Sequence, residues 1–164
     1  MTDHVDHVLA QWQDQRPDLD VSPMAVLGRL SRLSQLTGAE LRKTFTTHGL
    51  DPASFDVLAT LRRSEPPHSL TPTELMHSAM VTSGAITQRL DRLEERGLVR
   101  RSRSESDGRG IRVDLTDTGR TLIDDALPDH VATEERLLAP LNPKQRAALA
   151  DALRTLLESL GDAQ

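Results

Sequence analysis

Thr87, Gln88 and Arg92 are the residues whose types and spacing carry the most definite chemistry in this chain. They stand in TSGAITQRLDRLEER, where Ile86, Leu90 and Leu93 recur at i, i+4 and i+7 and mark one helix face for burial. Gly84, Thr87, Gln88 and Arg92 fall across or beside the opposite face, so small and hydrogen-bonding groups lead outward. A glutamine amide matches the donor and acceptor pair that adenine presents in the major groove, and a threonine methyl suits the methyl of thymine. Ser83 and Gly84 join this base-reading set, and Thr82 fits as the helix cap, offering a hydroxyl and a backbone N–H to phosphate. The bland alternative is a solvated helix face.

Charge points the same way. Between Arg89 and Arg112 the sequence holds eight arginines against five acidic residues, a balance of +3 in a chain whose total is −5, which leaves −8 elsewhere. Cation concentrated on one segment of an acidic protein is the footprint expected for phosphate contact. Arg103 and Arg112 suit phosphates, while Arg109, in the turn-forming run Glu105 to Gly110, suits a narrow minor groove. Arg89 differs, because it falls beside Ile86 and Leu93 and so faces the interior. It needs an anionic partner there, and Asp56 is a candidate. Such a pair could be a plain salt bridge or part of a ligand site.

The elements that must position these groups can be read from their start and stop signals. The helix over 82–96 ends at Gly97, where a left-handed residue lets Leu98 fold back onto Leu93. Leu98 to Arg103 and Ile111 to Leu115 read as two strands around an Arg-bearing turn. Ser22-Pro23, Asp51-Pro52, Thr71-Pro72 and Asn142-Pro143 each read as N-cap plus first helical residue, and Glu74 and Gln145 complete capping boxes in the last two. The first of these opens a long helix reaching Thr47, preceded by a short amphipathic helix from Asp3 to about Gln15. The helix from Asp51 breaks at Ser64-Glu65-Pro66-Pro67. After Thr116 a helix runs to about Ala139, and Pro128 should kink or break it. A last helix carries Leu149, Leu153, Leu156 and Leu160 on one stripe and ends at Gly161.

The stretch LTPTELMHSAMVTSGAITQRLDRLEERGLVRRSRSESDGRGIRVDLTDTG resembles the helix-turn-helix and wing of MarR-type bacterial regulators, with its Glu-Arg-Gly-Leu-Val and the Asp-x-Arg of Asp107 and Arg109. The resemblance implies a mainly α winged helix-turn-helix fold with a small β-hairpin wing. It divides the chain into N-terminal helices for dimerisation and a ligand pocket (1–50), a DNA-binding domain (51–116) and C-terminal dimerisation helices (117–164). It also implies a homodimer on pseudo-palindromic double-stranded DNA, acting as a repressor released by a small anionic or aromatic effector. Trp12, Asp56, Arg89 and Arg101 are further similar to the Trp, Asp and two Arg of a urate-responsive branch, and Ser64 stands where that branch has Asn. The shorter reach of serine leaves another purine, an aromatic acid or a tricarboxylate open as effector. Trp12 could equally be packing.

Composition bounds the alternatives. The 164 residues suffice for one domain or one intertwined protomer. The apolar helix faces exceed what a winged helix can cover, which favours a dimer over a larger monomeric bundle. No apolar run reaches membrane-spanning length and the acidic N-terminus lacks a signal pattern, so no membrane partner and a cytoplasmic address are expected. With no cysteine, disulfides and thiol catalysis are excluded. One Trp and two Phe cannot make the stacking platform that reads single strands. His4 and His7 are the only histidine pair sharing a helix face, which gives no metal site, and no cofactor or catalytic residue is assigned. An enzyme is not expected, as no Ser-His-Asp set or glycine phosphate cradle is present. A winged-helix module for protein–protein contact, without sequence-specific DNA binding, is the rival reading.

Overall fold

The computed structural model describes residues 2–79, 86–103 and 110–162. Two compact units are formed, residues 1–43 and residues 44–164.

The first unit holds α1 (His4–Gln15) and most of α2 (Ser22–Thr47). Asp3 caps α1 through a capping box with Asp6, and both carboxylates are clamped by Arg29 of α2 at 2.8 and 2.5 Å. Val5 is buried against Gly28, where an added Cβ would lie 3.2 Å from a Val5 methyl. The start of α2 differs from the sequence expectation. Ser22 is already helical, and Asp20 accepts its backbone N–H at 2.9 Å, so a carboxylate two residues upstream does the capping. That hydrogen bond also holds Asp20 below the usual carboxylate range.

The second unit contains α3 (Pro52–Arg63), β1 (Ser69–Leu70), α4 (Pro72–Ser78), α5 (Ile86–Glu95), β2 (Val99–Arg103), β3 (Ile111–Leu115), α6 (Asp117–Leu138) and α7 (Pro143–Ser159). Its core gathers Leu58 and Leu61 of α3, Leu75 of α4, Leu90 and Leu93 of α5, Val99 and Val113 of the sheet and Ile123 of α6, none more than 2% exposed. Asp51, Thr71 and Asn142 cap α3, α4 and α7, the latter two with Glu74 and Gln145 closing the boxes. The three helix starts are thus as the sequence predicts.

The sheet is antiparallel in the order β1-β3-β2, with Arg101 opposite Val113 and Ser69 opposite Asp114. Strand β1 was not foreseen. His68, at φ 60°, turns the chain after α3, and its carbonyl accepts from the Leu115 N–H at 3.1 Å, delivering Ser69 and Leu70 to the edge of β3. Of the two outcomes expected at Pro128, a kink or a break, the break does not occur: the helix runs from Asp117 to Leu138 with Pro128 inside it. Pro128 is exposed, while Ile123, Ala126 and Thr133 on either side are buried, so packing holds both halves in one helix. Among the described residues no helix is long and apolar enough to cross a membrane, and no cluster of three His, Asp or Glu could hold a metal.

Candidate nucleic-acid interface

Helix α5 is set on the core by Ile86, Leu90 and Leu93, 8%, 2% and 1% exposed, which turns Thr87, Gln88, Asp91 and Arg92 to solvent. Its end is a Schellman turn: Gly97, at φ 69°, donates to the Glu94 carbonyl at 2.8 Å, and Leu98 donates to Leu93 at 2.9 Å. Leu98 is buried, so the turn also closes an apolar contact. The outward face contains the predicted base-reading trio Thr87, Gln88 and Arg92. Thr82, Ser83, Gly84 and Arg109 lie outside the described residues.

The arginines of this region divide into two kinds. Arg92 on α5 and Arg103 at the end of β2 are exposed, with no ion pair between either and another of the described residues. Several others are engaged within the protein. Arg96 donates to the Gly49 carbonyl at 2.9 Å and ties the end of α5 to the turn before α3. Arg112 donates to the Ser69 hydroxyl at 2.9 Å and to the Ser69 carbonyl, pinning β1 to β3. Arg100 reaches Asp114 at 3.4 Å. Burial pushes the Asp114 carboxyl up, but hydrogen bonds from Ser69, Ser102 and Arg100 together carry it below its ordinary value.

Arg101 is the most committed of them. Its guanidinium meets Asp91 at 2.7 Å and Glu94 at 2.8 Å, and it reaches the Thr87 carbonyl at 3.3 Å. Its backbone N–H donates to the other Glu94 oxygen at 2.8 Å. Asp91 beside it raises its already high pKa further. The described part of α5 carries two arginines against three carboxylates, so the helix on its own is not cationic. Arg101 offsets two of those carboxylates from the adjacent strand. Sequence reading gave Arg101 an effector role and missed this one, although Asp91 and Glu94, at i and i+3, share one side of the helix.

Of the other predicted ligand residues, Arg89 is half-buried as expected, and the ion pair that the structure shows for it is with Asp51, at 4.0 Å. Asp56 is half-buried on α3. Ser64 is the C-cap of α3, and its hydroxyl donates to the Leu61 carbonyl at 2.7 Å. Trp12 is 42% exposed on α1, in the first unit.

Comparison with known proteins agrees with this geometry. The sequence profile described as the MarR family matches residues 48–110. The HTH-type transcriptional regulator PecS of Dickeya dadantii (strain 3937) is 40% identical over 145 residues, covering 88% of this chain and 87% of that protein. Among solved structures, Sco3205, a MarR family transcriptional regulator from Streptomyces coelicolor in complex with DNA, superposes with a TM-score of 0.78 at 28% identity, over 87% of this chain and 89% of that one. Bordetella bronchiseptica BpsR, whose DNA binding is regulated by 6-hydroxynicotinic acid, superposes with a TM-score of 0.72 at 26% identity, over 85% and 94%. With a relative 40% identical over most of its length and a fold shared with regulators solved on DNA, the chain belongs to the MarR family of winged-helix transcriptional regulators.

Proposed function

We propose that the protein is a homodimeric repressor that places one α5 in the major groove of each half of a pseudo-palindromic operator and is released by a small anionic or aromatic effector. Residues 51–116 do the reading, and helices in 1–50 and 117–164 join the two copies. Within the reading domain, Gln88 and Thr87 contact base edges, Ser83 and Gly84 are assigned to the same base-reading set and Thr82 to a phosphate, and Arg92 and Arg103 contact the backbone. Arg109 enters the minor groove from the wing, and Arg112 supports the hairpin from its bond to Ser69.

The observation that carries this reading is the exposed Thr87, Gln88 and Arg92 on a helix whose other face is locked into the core. Two-fold pairing is supported by uncovered leucines: Leu27, Leu33 and Leu36 on α2 are 62%, 51% and 56% exposed, and Leu160 beyond α7 is 83% exposed. A single reading module also buries too little surface to select a site from a genome. For the effector, Arg89, half-buried and 4.0 Å from Asp51, supplies a guanidinium suited to a planar anion, with Asp56 and Ser64 of the same unit as further candidates. BpsR offers a precedent for control by an aromatic acid. Effector binding would favour a spacing of the recognition helices that no longer matches the roughly 34 Å of one DNA turn.

The test is fluorescence anisotropy with DNA from upstream of the protein's own gene, against random DNA of equal length, over a salt series. A preference of at least about a thousandfold is expected at moderate salt. Equal binding to both fragments would remove the sequence-reading role.

A further inference from the structure

The end of the reading helix and the start of α6 meet backbone to backbone. Thr116 follows β3 and caps α6 by accepting the Gly119 N–H on its hydroxyl at 3.0 Å. The same hydroxyl lies 2.7 Å from the Gly97 carbonyl and 3.0 Å from that of Leu98, and shares its one proton between them. The Thr116 N–H donates to the Leu98 carbonyl at 3.2 Å. Gly97 and Leu98 are the two residues of the turn that closes α5.

Gly119 completes the joint. A Cβ built there would stand 2.0 Å from the Leu98 carbonyl oxygen and 2.9 Å from both the Leu98 carbonyl carbon and a Leu115 methyl. An ordinary carbon–oxygen contact needs about 3.3 Å. The atom in the way is backbone, so no side chain can swing aside. Glycine is required here by close approach and not by its dihedral angles, since Gly119 lies inside a regular helix.

We propose that Thr116 and Gly119 are positioning residues for DNA reading, which fix the direction in which α5 leaves α6 and hence the separation of the two recognition helices in the dimer. This rests on the reading above, that α6 and α7 belong to the dimer-forming part. Ile86, Leu90 and Leu93 seat the body of α5 on the core, and its other polar ties run through long arginine side chains: Arg96 to Gly49, Arg101 of β2 to Asp91 and Glu94, and Arg89 to Asp51. The junction of Leu98, Thr116 and Gly119 is tied instead through backbone atoms and one hydroxyl, and a Cβ at position 119 would force it open by about an ångström. It is a direct backbone link between the end of the helix that reads and the start of α6.

The experiment compares wild type, Gly119→Ala, Thr116→Val and Thr116→Ser on an operator series whose half-site spacing is changed one base pair at a time. Sedimentation, helix content and melting are measured in parallel. Wild type should be a dimer with one preferred spacing; a monomer, or a flat spacing profile, overturns the dimer reading and this inference with it. Given that optimum, Gly119→Ala and Thr116→Val should remain dimeric yet bind the best site roughly tenfold or more weaker, the cost of one or two lost base-pair contacts. They should also lose the discrimination between the optimal spacing and its one-base-pair neighbours. Thr116→Ser keeps the hydroxyl and should keep both properties. Should the folded variants retain the wild-type spacing profile, with affinity unchanged or reduced by one factor at every spacing, the positioning role is refuted and the junction serves stability alone. If Gly119→Ala does not fold, Thr116→Val decides the matter, because it leaves the close approach intact.

Discussion

Arg101 decides how much negative charge α5 turns toward a duplex. Its guanidinium holds Asp91 and Glu94, and without it two carboxylates stand beside the base-reading face. Arg101→Gln should weaken DNA binding roughly threefold to tenfold with no effector present, by like-charge repulsion of phosphates. Adding Asp91→Asn and Glu94→Gln to that variant should recover most of the loss in an anisotropy titration. Arg103→Ala should behave differently under the proposed role of Arg103 as a direct phosphate contact: the slope of log K against log salt should become shallower by about 0.9. If Arg101→Gln changed that slope equally and the added amides recovered nothing, Arg101 would itself be a phosphate ligand. The exposed trio on α5 was legible from helical periodicity. The engagement of Arg96, Arg100, Arg101 and Arg112 was not, because their partners, Gly49, Asp114, the Asp91 and Glu94 pair on α5, and Ser69, are brought beside them by the tertiary fold. Asp114 adds a pH effect at the same scale. Its folded pKa lies below the ordinary 3.8, so its stabilising contribution is complete above about pH 4 and is lost as pH falls through the folded value. Asp114→Asn should therefore flatten the acid side of the stability profile measured by urea unfolding.

Elements announced by local chemistry were readable from the chain, because a cap or a glycine turn is decided within four residues. Asp51-Pro52, Thr71-Pro72 and Gly97 each act where their types predicted. Strand β1 was not readable, as two residues carry no period and their strand state comes from β3 and Arg112. Pro128 shows the opposite failure, in which a correct local penalty was outweighed by packing on both sides of it. The penalty is still present in the molecule. Pro128 is exposed, so Pro128→Ala should restore a helical N–H and stabilise the protein by about 1–3 kcal/mol, seen as a higher unfolding midpoint. No gain would mean that α6 is distorted at that turn in a way alanine cannot repair.

A chain of this size rarely leaves whole helix faces uncovered, and here none of the residues of α7 is buried. Leu156, Leu157 and Leu160 are 44%, 49% and 83% exposed, and Leu127, Val131 and Leu138 on α6 are between 40% and 51% exposed. Single exposed leucines need no explanation, but stripes on successive helices do. A second copy of the chain is the simplest cover, because symmetric pairing doubles the reading helices at the same stroke. The consequence is thermodynamic as well as geometric: if folding and pairing are linked, the melting midpoint must rise with protein concentration. Leu156→Glu with Leu160→Glu places two charges where apolar contact is needed. This variant should sediment as a monomer, melt lower and lose the concentration dependence. Its Thr87, Gln88 and Arg92 face remains, so weak binding to a half-site should persist with strong salt dependence, while the advantage of a palindrome over a half-site disappears. A wild-type midpoint that stays constant over a hundredfold dilution, together with a variant that still prefers the palindrome, would place the joining surface elsewhere.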